Sequence, residues 1–246
     1  MTWLRWIGAL WLALVPMGAL GCESVEYDGA RYTICRVDAA KQDIRLFWTD
    51  PEDGKTLGTF RNVDQLLEKS GEILTLGMNA GMYHPDRRPV GHFVENGEVQ
   101  APLITADGPG NFGLLPNGVF CVSDAKARVV ESRRFDRERP NCRFATQSGP
   151  MLVIDGALHP RFLPDSDSTF IRNGVGVAAD GRTVWFVISE GPVNFHAFGS
   201  LFRDHLKTPQ ALYFDGNISR LYAPGIGRQD AGFPMGPIVG VVAPIK

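Results

Sequence analysis

The sequence predicts an α+β fold: a mixed, mainly antiparallel sheet built from hairpins, with a few flanking helices. Three observations carry this. Glycine (28) and proline (17) are plentiful among 246 residues, which favours frequent turns and short strands. Four Asn-Gly or Asp-Gly dipeptides sit between runs of Val, Ile, Leu and Phe, and such pairs supply the positive φ angles of tight hairpins. Only two segments have apolar residues at helical spacing.

In chain order, the early strands are RYTICRV (31–37), IRLFW (44–48) and EILTLGMN (72–79). Between the last two, TFRNVDQLLEKSG (59–71) places Val63, Leu66 and Leu67 on one helical face, with Gly71 as a stop. Hairpins are expected at Asn96-Gly97, Asn117-Gly118, Asp155-Gly156 and Asp180-Gly181. The alternating charges of ESRRFDRERP (131–140) read as a solvated loop or linker, or else a binding tract. NFHAFGSLFRDHL (194–206) is the second helix, with Asn194 as its N-cap. No repeat, low-complexity tract or domain boundary stands out.

The N-terminal 21 residues differ from the rest. Arg5 precedes an apolar run from Trp6 to Val15, and Ala19 and Gly21 stand at −3 and −1 before Cys22. This is the pattern of a secretory signal peptide, short for a membrane span; a membrane anchor is the alternative. Residues 22–246 then form the mature chain, periplasmic or secreted. A net charge of −2 and the lack of a basic patch give no footprint for nucleic acid.

Cys22, Cys35, Cys121 and Cys142 include no CxxC pair, so zinc is not indicated. In an oxidising compartment they form two disulfides. Sequence proximity suggests Cys22–Cys35 and Cys121–Cys142, although three connectivities exist. Lipidation of Cys22 competes with the first. The five histidines form neither HxH nor HExxH, and there is no P-loop or dinucleotide fingerprint, so no metal and no cofactor is expected.

Candidate chemistry lies where strands end in polar residues. ILTLGMNAG runs into Asn79 and Gly81, and ALYFDGNISRLY runs into Asp215, Gly216 and Asn217, with Ser219 and Arg220 after them. Glycine at such a place lets backbone approach a ligand, and a carboxylate there serves as acid, base or nucleophile. Plain turns would show the same residues. In ATQSGPML (145–152), Ser148 and Gly149 precede a strand, but the stretch does not fit a GxSxG nucleophile elbow. Ser148 is a binding hydroxyl or a turn residue. Arg172 opens the glycine-spaced strand RNGVGV (172–177) and either pairs with a structural carboxylate or clamps a phosphate.

In order, NAGM (79–82), SGPML (148–152), RNGVGV (172–177) and YFDGNIS (213–219) resemble the phosphodiester glycosidase family over roughly residues 30–245. Asn217 and Ile218 stand where those enzymes have two glycines. The resemblance implies hydrolysis of a sugar-1-phosphodiester or related envelope glycan at the glycosidic bond. On it, Asp215 is the catalytic carboxylate, Arg172 the cation on the leaving phosphate and Glu190 a second carboxylate, or else a surface turn residue. Asn79, Gly81, His92, Ser148, Gly149, Gly216, Asn217 and Ser219 would bind the carbohydrate phosphodiester. The alternative is a non-catalytic glycan-binding or envelope-assembly protein using the same pocket.

Overall fold

The computed structural model describes residues 21–245. The signal-peptide reading of residues 1–21 therefore lies, but for Gly21, outside the described residues. Three antiparallel sheets make up the architecture. The largest has seven strands in the spatial order Gly21–Tyr27, Ala30–Asp38, Thr183–Ser189, Asn173–Val177, Gln210–Asp215, Met151–Ile154 and Ala157–Leu158. A five-stranded sheet runs Arg228–Gln229, Leu221–Ala223, Glu72–Asn79, Ile238–Pro244 and Asp43–Phe47. The other five-stranded sheet runs Glu98–Ala101, Phe93–Glu95, Phe144–Ser148, Gly118–Val122 and Ala127–Glu131. The α+β expectation holds.

One apolar cluster draws on all three sheets, through Val175 and Phe186, Leu76 and Val241, and Phe120 and Phe144. The seven-stranded sheet is covered on its other face too. There Tyr32, Val187, Ala211 and Tyr213 pack against Phe198, Leu201 and Phe202. This double burial explains the unbroken apolar run Ala-Leu-Tyr-Phe at 211–214. Leu212 and Phe214 enter the central cluster, while Ala211 and Tyr213 face the helix, so both faces need apolar side chains.

The glycine spacing of 174–176 has a packing cause. A Cβ on Gly174 would stand 3.3 Å from Phe198, and one on Gly176 would stand 2.6 Å from Phe202. Two residues apart on the strand, the glycines admit two aromatics four apart on the helix. That second helix spans Phe195–Ser200 and continues as a π-turn, Leu201–His205. Asn194 caps it by accepting from the Ala197 N–H at 2.9 Å, as expected. The helix expected over 59–71 spans Phe60–Glu68, capped by Thr59, and buries Phe60, Val63 and Leu67.

Two expectations are corrected. Residues 131–140 are not wholly a loop: Ser132–Glu138 is a helix, because the Glu131 carboxylate accepts from the Arg133 and Arg134 N–H groups and Phe135 is buried. Asn117-Gly118 is not a hairpin turn. Asn117 is fully buried and donates to Phe112 O at 2.9 Å, while Gly118 begins a strand. A Cβ at Gly118 would press on Met151 at 3.0 Å, so packing dictates this glycine. The turns at Asn96-Gly97 and Asp155-Gly156 do use positive φ at both residues.

Both nearest-neighbour disulfides are present, Cys22–Cys35 and Cys121–Cys142. The first joins directly facing residues of a hairpin. It occupies the Cys22 sulfur that a lipid thioether would require. Disulfides point to an oxidising compartment. No helix among the described residues is long and apolar enough to cross a membrane.

Candidate active site

Ends of all three sheets meet at one place. Asn79 ends its strand, Ser148 ends another, Asp215 ends a third, and Asn173 begins the strand that faces Asp215 in register. An amide pair joins them. Asn79 and Asn173 have no exposed surface, and Asn79 Nδ2 donates to Asn173 Oδ1 at 3.2 Å. In return Asn173 Nδ2 donates to Asn79 Oδ1 at 3.0 Å and to Asn79 O at 2.9 Å. The two acceptors then hold the polar loop. Asn173 Oδ1 accepts from the Asp215 N–H at 3.2 Å and from Ser219 Oγ at 3.4 Å. Asn79 Oδ1 accepts from the Arg220 N–H at 2.9 Å. A buried polar group without partners is costly, so this network fixes one geometry for the loop.

Asp215 sits at its centre with 9% of its surface exposed. Its Oδ1 accepts from the Gly216 N–H at 2.6 Å and the Asn217 N–H at 3.0 Å. Its Oδ2 has no hydrogen-bond partner among the described residues. Burial raises the Asp215 pKa, and the two N–H groups partly offset it. Ser219 Oγ closes the loop by donating to Asp215 O at 2.8 Å and is also 2.9 Å from Ile171 O. Gly216 is required because a Cβ there would collide with the Tyr213 hydroxyl.

The neighbouring motif supports the same floor. Ser148 Oγ donates to Phe214 O at 2.8 Å, and Thr146 Oγ1 donates to Ala80 O at 2.6 Å. Gly81 has φ 124°, and a Cβ there would lie 3.0 Å from Thr146 Oγ1. Gly149 has its own constraint, since a Cβ would lie 2.6 Å from Asn117 Cβ.

Arg172 directly precedes Asn173 and is enclosed. It has no exposed surface. Its Nε donates to Val193 O at 2.8 Å and its Nη2 to Ser168 O at 2.9 Å, while Nη1 has no partner. The guanidinium centre is 3.6 Å from the Phe195 ring centroid and 5.3 Å from that of Tyr213. Among the described residues it makes no ion pair with a carboxylate. Burial lowers its pKa, and the adjacent Tyr213 opposes that. Tyr213 is itself pushed up mainly by burial. In this arrangement Arg172 packs on Tyr213, whose hydroxyl lies against the Asp215 turn at Gly216.

Two other expected members stand apart. Glu190 follows a strand of the same sheet, but Arg228 Nη1 holds its carboxylate at 2.6 Å and Thr33 Oγ1 at 2.5 Å. The His92 ring contacts Ala101 O at 3.1 Å and packs 5.3 Å from the Phe135 ring. It lines a hollow with Val94 and Leu103, and burial lowers its pKa. Among the described residues no group of three His, Cys, Asp or Glu side chains is placed to hold a metal ion.

Asn173, and Arg220 through its backbone N–H, belong to the network although neither was among the expected site residues. Asn173 carried a signal: a polar amide between Arg172 and a glycine at the start of an otherwise apolar strand. The Asp215 charge adds to burial in raising the Tyr83 pKa.

Comparison with known proteins agrees with this architecture. The family model for phosphodiester glycosidases (NAGPA) matches residues 73–234, which contain every strand end that forms the site. The chain is 33% identical over 216 residues to the uncharacterized protein YigE of Escherichia coli K12, covering 87% of this chain and 84% of that protein. Among solved structures, it resembles the catalytic domain of zebrafish N-acetylglucosamine-1-phosphodiester alpha-N-acetylglucosaminidase, auto-inhibited by its pro-peptide. That match has a TM-score of 0.62 at 10% identity and covers 91% of this chain and 82% of the other. A Burkholderia pseudomallei K96243 protein matches with a TM-score of 0.55 at 11% identity, covering 86% and 74%. These two likenesses are of fold. From the family match and the YigE relationship together, the chain belongs to the phosphodiester glycosidase family.

Proposed function

We propose that this protein is an exported hydrolase that cleaves the glycosidic bond of a sugar-1-phosphodiester, with Asp215 as its catalytic carboxylate. The observation that carries this is the Asp215 geometry. One carboxylate oxygen is fixed by two backbone N–H groups, and the other is without a protein partner at the meeting point of three sheets.

The chemistry suits a single carboxylate. When the bond between the anomeric carbon and oxygen breaks, its electron pair leaves on a phosphate monoester, whose second pKa is about 6. Such a leaving group needs little help from a general acid. The positive charge left on the sugar ring is stabilised by a nearby carboxylate, which also accepts the proton of the attacking water. Glu190, held by Arg228 and Thr33, is engaged in a structural ion pair, so the reading rests on Asp215. Asn79, Ser148, Gly149, Gly81 and Ser219 build the floor, and Asn217 at the exposed tip meets substrate. The disulfides and the leader-like residues 1–21 support export to the periplasm or beyond.

The test is hydrolysis of UDP-N-acetylglucosamine and an N-acetylglucosamine-1-phospho-alkyl diester by the purified, disulfide-intact protein and by Asp215→Asn. Free sugar from the wild type, and none from a folded Asp215→Asn, is expected. Equal release by both would end the assignment of Asp215. Glycan binding by both without turnover would favour a binding protein that uses the same site.

A further inference from the structure

We propose that Arg220 is the phosphate-binding cation of this site, and that the hollow it borders receives the phosphate-bearing leaving group. This rests on the glycosidase reading above and names the subsite that reading requires.

Arg220 is tied to the Asp215 network yet electrostatically uncommitted. Its backbone N–H is held by Asn79 Oδ1, and Asn79 is paired with the Asn173 that holds the Asp215 N–H. Its side chain is half-buried and makes no ion pair among the described residues. Nη1 donates to Phe233 O at 2.5 Å, which aims the guanidinium, and Nε and Nη2 have no protein acceptor among the described residues. The loop around it is shaped to the side chain. Gly232 has φ 146°, and a Cβ there would collide with the guanidinium. A planar fork with free N–H groups, on a residue whose backbone is tied into the Asp215 network, is an arrangement that recognises phosphate oxygens.

One further arginine, Arg87, extends the positive field. Gly236, four residues beyond Gly232, packs directly on the Tyr83 ring, so one loop touches both Tyr83 and Arg220. The Arg87 guanidinium lies 5.2 Å from the Tyr83 ring centroid, also without an ion pair among the described residues. Arg87 is held at φ 72°, a left-handed conformation uncommon for a non-glycine residue. Both arginines lower the Tyr83 pKa while Asp215 raises it, so carboxylate and cations act on the same phenol. Arg172, by contrast, has no exposed surface.

On its outer side Arg220 borders a hollow of about 380 Å³, lined also by Phe60, Arg61, Tyr222, Gln229 and Met235. Two acids in its wall are already engaged. Asp230 accepts from the Leu221 N–H and from Arg228, and Asp64 from the Leu74 N–H and the Tyr222 hydroxyl. Asp230 is neutralised by Arg228 while Asp64 keeps its charge, so Arg61 and Arg220 together leave the wall with one net positive charge. The aromatic walls suit the alcohol or second sugar carried by the phosphate.

The experiment uses the full protein and measures binding of inorganic phosphate and of an N-acetylglucosamine-1-phospho-alkyl diester by calorimetry. It compares wild type with Arg220→Gln, Gln229→Trp and Arg172→Lys, each shown to be folded by circular dichroism. Arg220→Gln keeps a donor for Phe233 O but loses the charge. It is expected to weaken both ligands by about tenfold or more. Gln229→Trp fills the hollow and should weaken the diester alone. Arg172→Lys should leave phosphate affinity within about threefold, as a cation out of ligand contact would. Unchanged phosphate binding in Arg220→Gln, or no phosphate binding by the wild type at about 10 mM, would overturn the assignment. Unchanged diester binding in Gln229→Trp would remove the hollow from it. Phosphate binding through Arg220 without release of sugar from any diester would sink the glycosidase reading alone. Undiminished sugar release by Arg220→Gln would sink the phosphate site alone.

Discussion

Replacing Asn173 by alanine tests whether the buried amide pair organises the site. The side chain makes two donations and accepts three times, linking Asn79, Asp215 and Ser219. Alanine removes all five. Water can replace the partner of Ser219, which is partly exposed, and that hydroxyl keeps its carbonyl acceptors. The buried Asn79 Nδ2 and the Asp215 N–H are left unpaired, while Asn79 Oδ1 keeps the Arg220 N–H. Each unsatisfied buried group costs about 1–3 kcal/mol, so the two together cost about 2–6 kcal/mol. For a chain of this size each kcal/mol lowers Tm by about 2–4 °C, giving a fall of roughly 4–24 °C. Urea unfolding followed by tryptophan fluorescence measures it, with sugar release from the diester as a second readout. Both stability and turnover should fall, because the Asp215 loop loses its anchor. A change under about 0.5 kcal/mol with full turnover would refute the network as the organiser of the loop.

Two further outcomes follow from the packing and the charges. Burial raises the Glu95 pKa to about 7. The folded state therefore binds an extra proton between the unfolded value near 4.5 and about 7, and stability falls as pH rises through that window. Glu95→Gln should flatten the pH profile and gain about 1–3 kcal/mol at pH 8, with no gain below pH 4; parallel profiles would contradict this. Gly176→Ala places a Cβ 2.6 Å from Phe202, so the helix must shift at a cost of about 1–3 kcal/mol, read as a lower urea midpoint; an unchanged midpoint would remove the packing account of this glycine.

The sequence alone determined the local features. Hairpin turns at Asn96-Gly97 and Asp155-Gly156, the two capped helices and the early strands follow from backbone preferences and short-range periodicity, which are written residue by residue. Asp215 was legible because a carboxylate after a doubly apolar strand breaks the pattern around it. Local reading failed where distant packing decided. Asn-Gly at 117–118 has the dipeptide of a turn, but Phe112 and Met151 claim both residues. Residues 131–140 have the charge of a loop, but Glu131 caps a helix over buried Phe135. The site itself was decided only by the tertiary structure. Asn79 and Asn173 are 94 residues apart, and no local property of either says that their amides will pair. Likewise nothing in the composition around Arg172 and Arg220 distinguishes the two. Folding encloses one in aromatic rings and leaves the other half-exposed after the Asp215 loop, because burial is a property of the elements that cover a residue and not of the residue itself.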